Sequence, residues 1–175
     1  MTEFIGSWSY SSEEMIELFK NIDTNVFREN YNIIEFGCGD SSIKLFKIFD
    51  KVKNLLYYAL ESDINYVPNF EKIKAILYDE TKIDSFVLKF EEENLLFDLV
   101  LVDGPTGEKR KLWYYKFKKY VKIGTIILID DFNHFESFGE ELDKHYEYEV
   151  LSFNNDPPIP GKGKSWKIVK VNKIK

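Results

Sequence analysis

One hundred seventy-five residues, 44% of them apolar, suffice for one domain with a sizeable core. The 15 Phe, 11 Tyr and 3 Trp exclude a disordered chain, and Cys38 as the single cysteine excludes a disulfide scaffold. A net charge of −6 disfavours nucleic acid as a partner. No run approaches the ~18–20 apolar residues of a membrane span. The opening Met-Thr-Glu-Phe has neither a basic start nor an apolar run, so no secretory leader and a cytoplasmic location are expected.

In chain order, Ser11-Ser12-Glu13-Glu14 predicts a capping box. The helix after it runs to about Asn21, with Met15, Ile16, Leu18 and Phe19 near one side. Then come a strand at Asn32–Phe36, a glycine turn, and a helix from Ser42 to about Phe49. A strand is expected over Asn54–Leu60, a helix near Val67–Glu71, a strand over Lys74–Tyr78 and a short helix over Lys82–Phe90. The clearest strand is Phe97–Val102, apolar throughout after Asp98, as suits a strand covered on both faces. It ends at Asp103-Gly104-Pro105, a turn signal.

A basic helix over Lys109–Lys119 follows, then a buried strand at Thr125–Ile129 and a helix near Phe135–Lys144. Two β-type runs, Tyr146–Phe153 and Ser165–Val171, close the chain around the loop NNDPPIPGKGK. Alternating β and α elements predict an α/β fold of three layers, a doubly wound and mostly parallel sheet of seven strands. The last two strands lack a helix between them and predict an edge hairpin with one antiparallel strand. One domain over 1–175 is expected, with residues 1–30 as an N-terminal helical segment on a 31–175 core.

The charge is uneven. EKRKLWYYKFKKYVK, from Glu108 to Lys122, is strongly basic, and from Lys162 on the chain carries six Lys and no acid. A solvated helix face and a lysine-blunted edge strand account for these runs; an anionic substrate is the alternative.

Chemistry concentrates at Ile33-Ile34-Glu35-Phe36-Gly37-Cys38-Gly39-Asp40-Ser41-Ser42. Glycines let the backbone turn sharply and approach a ligand without a Cβ in the way. Ser41 or Ser42 can cap the next helix. About twenty residues on, a strand ends at Leu60-Glu61-Ser62-Asp63, where an acid can accept both ribose hydroxyls of a nucleoside. A nicotinamide dinucleotide calls for G-x-G-x-x-G, and its third glycine would fall at Ser42. A plain tight turn is the bland alternative.

These segments, E-F-G-C-G-D-S-S, A-L-E-S-D and F-D-L-V-L-V-D-G-P, resemble class I S-adenosylmethionine-dependent methyltransferases, from about Asn32 to Val171. The resemblance implies S-adenosylmethionine as cofactor and a Rossmann-like fold. It implies that Gly37, Cys38 and Gly39 line the methionine moiety near Glu35, and that Ser41 stands where the fullest motif has its third glycine. Glu61, with Ser62 after it, would hold the ribose and Asp79 the adenine. Asp103 would face the methyl group.

Asp103, Asp130 and Asp131 end two strands that a doubly wound sheet places side by side. Oxygen ligands of this kind suit Mg²⁺ or Mn²⁺, which would lower the pKa of a bound hydroxyl. The arrangement is similar to metal-dependent O-methyltransferases, although Gly104-Pro105-Thr106-Gly107 stands where those carry a further ligand. Alternatively, Asp131 caps the next helix and Asp130 orients a loop. The run V-D-G-P-T-G-E-K-R with D-D-F-N-H-F-E is also locally similar to glucuronoxylan 4-O-methyltransferases. That resemblance implies a uronic-acid hydroxyl as acceptor, with Lys109 and Arg110 pairing with its carboxylate.

His134 follows the Asp pair as a candidate general base beside Asp103, while His145 is expected at the surface. Trp8, Tyr10, Trp113 and Tyr114 are candidate walls of a substrate pocket. The Asn-Pro-Pro-Tyr motif of amino-methylating enzymes would fall at Asp103-Gly104-Pro105-Thr106 and is absent, so nucleic-acid methylation is not favoured. The expected reaction is O-methylation of a small-molecule or glycan acceptor, an anionic one being a candidate. A site with so few insertions suits an extended substrate, or completion by a second copy in a homodimer. A nicotinamide-dependent reductase and a non-catalytic binding protein of the same fold are the alternatives.

Overall fold

The computed structural model describes residues 10–22, 30–67, 73–77, 87–88, 90–104, 108–132, 136–155 and 165–175. The capping box forms: Glu14 N–H donates to Ser11 Oγ at 3.2 Å and Ser11 N–H donates to Glu14 Oε2 at 2.5 Å. It opens helix α1 (Ser12–Asn21). Strand β1 (Asn30–Phe36), helix α2 (Asp40–Phe49) and strand β2 (Asn54–Glu61) follow.

A short 3-10 turn follows over Ile64–Tyr66, and the helix expected near Val67–Glu71 lies outside the described residues beyond Val67. The Asp63 carboxylate caps this turn, accepting from Asn65 N–H at 2.9 Å. Strand β3 (Ile73–Leu77) comes next. The helix expected over Lys82–Phe90 lies mostly outside the described residues, with helical backbone at 87–88 and 90–92.

Then come β4 (Phe97–Val102), α3 (Glu108–Phe117), β5 (Val121–Asp130), α4 (Glu136–His145), β6 (Tyr146–Asn154) and β7 (Trp166–Ile174). Strand β5 starts earlier than its apolar run. Phe97 faces Val121 but Leu99 faces Ile126, and the extra residues bulge at Gly124, which has φ +91. Thr125 closes the bulge, donating from Oγ1 to Phe97 O at 2.7 Å.

Among the described residues the sheet has seven strands in the order β3-β2-β1-β4-β5-β7-β6. The first five are mutually parallel; β7 is antiparallel to both its neighbours, so the terminal hairpin forms the edge as expected. Strand alternation divides the core between two faces. One holds Ile33, Tyr57, Ala59, Leu101 and Leu128 under Met15 and Leu18 of α1 and Leu45 and Phe49 of α2. The other holds Phe36, Tyr58, Leu60, Val102 and Ile129 under Tyr114 and Phe117 of α3 and Phe138 and Leu142 of α4. No helix among the described residues is long and apolar enough to cross a membrane.

Candidate active site

β1 has β2 on one side and β4 on the other, so the chain's winding reverses beside it. Crevices at such reversals, at the carboxyl ends of the strands, are where doubly wound sheets bind ligands. Two glycines shape this one. Gly37 has φ +81, and a Cβ on it would lie 2.5 Å from Gly104 N. A Cβ on Gly104 would lie 2.8 Å from Gly37 Cα. Phe36 O accepts from Asp103 N–H at 2.9 Å and Gly104 N–H at 2.6 Å, while Gly37 N–H donates to Leu60 O at 2.8 Å. The turns after β1 and β4 thus pack backbone to backbone. Gly104 was legible in the sequence only as part of a turn.

The register row of Phe36, Leu60, Val102 and Ile129 places Gly37, Glu61, Asp103 and Asp130 in the next row, at the sheet edge. Strand parity turns all four toward the face covered by α1 and α2. Glu61 is buried there and ties two turns together. Its Oε2 accepts from Cys38 N–H at 2.9 Å. Its Oε1 accepts from Ser62 N–H at 2.6 Å, Ser62 Oγ–H at 3.2 Å and Asp63 N–H at 2.9 Å.

Glu35 lies two rows deeper on the same face, at 0% exposure. Its Oε2 accepts from Tyr57 Oη–H at 2.8 Å, and its Oε1 has no hydrogen-bond partner among the described residues. Burial pushes its carboxyl up to about 7 against the pull of the Ser42 and Tyr57 hydroxyls, with the charge of Glu61 adding to the rise. Ser42 Oγ also accepts from Gly39 N–H at 3.0 Å, which fixes the start of α2. Tyr57 was not singled out in the sequence; its parity with Glu61 along β2 is the signal that places it. Cys38 is buried beside them, and burial, reinforced by Glu35 and Glu61, pushes its thiol well up.

At the ends of β4 and β5, Arg110 corrects two expectations. It is 2% exposed, with Nη1 donating to Asp130 O at 2.7 Å and Nη2 to Asp103 O. The guanidinium therefore sits among Asp103, Asp130 and Asp131 and serves as their counter-charge. It is a structural bridge, not a group open to a substrate carboxylate.

Asp130 is fully buried, and its Oδ1 accepts from Asp131 N–H at 2.8 Å. Near it also lies Glu14 of α1, whose Oε1 has no hydrogen-bond partner among the described residues. A like charge beside a buried carboxyl disfavours its ionisation. Burial, with Asp130 next, pushes Glu14 up to about 9. Asp131 has φ +53. Among the described residues no group of three or more His, Cys, Asp or Glu is arranged to hold a metal ion. The expected set Asp103, Asp130 and Asp131 does not fit one, because an arginine and a proton already offset its charge.

A raised acid carries a sign. Glu14 stabilises the fold while protonated, and that contribution is lost as pH rises from its unfolded value toward about 9. Glu14→Gln keeps an acceptor for Ser11 N–H and supplies Asp130 with a permanent donor. We expect it to flatten the decline of the melting temperature between pH 5 and 9. At pH 8 the variant should melt a few degrees higher, roughly 3–6 °C; thermal melts across that range check this.

Tyr10 is fully buried, and its hydroxyl has no hydrogen-bond partner among the described residues. Burial, then Glu35, Asp103, Tyr57 and Asp130, push its ionisation far up, so it faces the same sheet edge. Tyr114 packs instead on the opposite face against Phe138 and Tyr146, as core. His145 is half-buried, 2.9 Å from Lys118 Nζ and 3.4 Å from Glu141 Oε2. The basic run is largely neutralised within the fold: Lys111 lies 3.6 Å from Glu141, Lys122 lies 2.5 Å from Asp98, and Lys119 pairs with Glu91. Trp8, Asp79 and His134, with the side chains of Ser41, Lys109 and Trp113, lie outside the described residues.

No family model matches the chain, and no curated protein matches it. Solved structures do. The O-methyltransferase from Bacillus cereus in complex with SAH superposes with TM-score 0.68 at 15% identity, over 96% of this chain and 84% of that one. Precorrin-6y C5,15-methyltransferase from Geobacter metallireducens gives 0.63 at 14%, over 97% and 92%. Human methyltransferase-like protein 13, in complex with SAH, gives 0.61 at 13%, over 91% and 81%. With a seven-stranded sheet carrying β7 reversed beside β5, the chain has the Rossmann-like fold of class I S-adenosylmethionine-dependent methyltransferases.

Proposed function

We propose that this chain is an S-adenosylmethionine-dependent methyltransferase acting on a hydroxyl of a small-molecule or sugar acceptor. One observation carries the reading: Glu61 ends β2 beside the glycine turn, its carboxylate tied to that turn through Cys38 N–H and with an acceptor position to spare among the described residues. Among the described residues its Oε1 takes three protein donors, whereas Oε2 takes Cys38 N–H alone. A carboxylate oxygen accepts two bonds readily, so Oε2 suits a ribose hydroxyl.

In this reading Gly37, Cys38 and Gly39 line the methionine end beside Glu35, and Ser41 and Ser42 open the helix behind them. Glu61 and Ser62 take the ribose and Asp79 the adenine. A pyrophosphate would need the N–H groups of this turn, and Gly39 N–H is already bonded to Ser42, which favours a phosphate-free nucleoside over a nicotinamide dinucleotide.

S-adenosylmethionine supplies an electrophilic methyl on a sulfonium. The chain's task is then to hold an acceptor oxygen in line with it and to take its proton, and positioning supplies much of such a rate. Asp103, half-buried at the end of β4, is the proton acceptor we assign, with His134 as a second candidate. No step passes through a divalent ion, because the carboxylates at the ends of β4 and β5 are offset by Arg110 and by the Glu14 proton. A uronate acceptor would have to rely on Lys109, since Arg110 is committed to main-chain carbonyls.

Calorimetric titration with S-adenosylmethionine tests this. Wild type should bind, and Glu61→Ala should weaken binding by about 100-fold through the lost charged acceptor. Asp103→Asn should keep binding but lose turnover, followed as S-adenosylhomocysteine release with sugar, uronate and phenol acceptors. Absence of binding by wild type would overturn the reading.

A further inference from the structure

From Tyr10 to Ile22 the chain turns Tyr10, Glu14, Leu18 and Ile22 inward at four-residue steps, all of them buried. The two ends of this stripe are unlike. Leu18 and Ile22 are apolar and join the core with Tyr31 and Phe49. At the other end, Tyr10 Oη and Glu14 Oε1 are buried with no hydrogen-bond partner among the described residues. They face acids instead: Tyr10 lies near Asp103 and Asp130, and Glu14 near Asp130. A buried polar atom left unpaired costs about 1–3 kcal/mol, which offsets much of what burying the Tyr10 ring contributes. The last turn of α1 is held firmly, and the first turn gains little by docking.

Two further contacts fit a first turn that moves as a unit. The capping box lies wholly inside the segment, Ser11 and Glu14 bonding each other, so the helix keeps its cap when that end leaves the sheet. At the middle of α1, Ser152 Oγ donates to Glu17 Oε2 at 3.3 Å, a long bond placed between the loose end and the firm one. Beneath the loose end, Glu35 and Asp130 are 0% exposed, and groups so covered meet a ligand when the cover moves. Local openings draw on the weakly held parts of a fold.

We infer that the first turn of α1, with Tyr10 and Glu14, is a flap over the ends of β4 and β5 that lifts to admit a ligand to Asp103, pivoting on the docked Leu18 and Ile22. The identity of that ligand rests on the methyltransferase reading; the flap itself does not.

Cys38 reports the lifting. It is the only cysteine, it is buried in the same cluster as Tyr10, and burial keeps its thiol protonated and unreactive. Iodoacetamide labelling of the full chain at pH 8, read by intact mass, should proceed at a rate nearly independent of urea below the unfolding transition, as a small opening requires. Glu14→Gln supplies Asp130 with a donor, holds the flap down, and should slow labelling about tenfold, the gain of one good hydrogen bond. Tyr10→Phe removes the other unpaired atom and should act in the same direction. Binding kinetics with S-adenosylhomocysteine test the gate: in Glu14→Gln, association and dissociation should both slow about tenfold, with affinity nearly unchanged.

Labelling that carries the urea dependence of global unfolding overturns the flap, and so does labelling that neither substitution slows. Slower labelling with unchanged binding rates overturns the flap as the ligand's entrance. If wild type does not bind S-adenosylhomocysteine, the methyltransferase reading falls, while labelling, which needs no ligand, still judges the flap.

Discussion

Gly37→Ala is expected to lower the melting temperature by about 10 °C, and Gly104→Ala by a similar amount. At Gly37 the new Cβ meets two obstacles. The residue has φ +81, where a side chain costs about 1–2 kcal/mol. The Cβ would also lie 2.5 Å from Gly104 N, so one turn must back away from the other, at a further cost of about 1–3 kcal/mol. For a chain of this size each kcal/mol moves the midpoint by roughly 2–4 °C. Gly39→Ala is the control, because a Cβ there meets nothing within 4 Å, and its midpoint should stay within about 2 °C. A Gly37→Ala protein that melts like wild type would show that the two turns do not pack backbone to backbone.

Arg110→Met is the second large change. It strips the carbonyls of Asp103 and Asp130 of a donor. It also leaves Asp103, Asp130 and Asp131 without the cation that offsets them. Removing one partner from a buried charge cluster costs about 3–5 kcal/mol, or roughly 10 °C here. Arg110→Lys keeps the charge but lacks the fork that reaches two carbonyls, and should fall between. The same melts examine the metal. Millimolar Mg²⁺ or Mn²⁺ should leave the wild-type midpoint unchanged, whereas a rise would restore the three aspartates as a ligand set.

The fold was legible because its strands carry their own evidence. Phe97–Val102 is apolar on both faces, and the capping box marks α1. What escaped was chiefly which way individual side chains turn. Lys109-Arg110-Lys111 reads as one basic face, yet Arg110, Tyr114 and Phe117 are spaced i, i+4, i+7 and all turn inward. That spacing is the signal that separates a buried arginine from solvated lysines. Glu14 has the same double character. It closes the capping box, as read, and it also lies on the inner stripe with Leu18 and Ile22, which carries it to Asp130.

The carboxylate row was half visible. Asp103 and Asp130 followed from neighbouring strand ends, but that Glu35 and Glu61 turn to the same face depends on the register, which the sequence does not print. The early start of β5 was hidden for a simpler reason. Lys122 and Gly124 break the apolar run that otherwise marks a strand.

The reversal of β7 has a practical side. Because β7 runs against its neighbours, it begins with Trp166 opposite Asp130 at the crevice and carries the chain away over nine residues to Ile174, about 30 Å of extended strand. A dye or affinity handle joined beyond Ile174 therefore hangs from the opposite rim of the sheet, clear of ligand traffic. One joined just ahead of Tyr10 would crowd the crevice, so surface immobilisation for binding work belongs at the far end of β7.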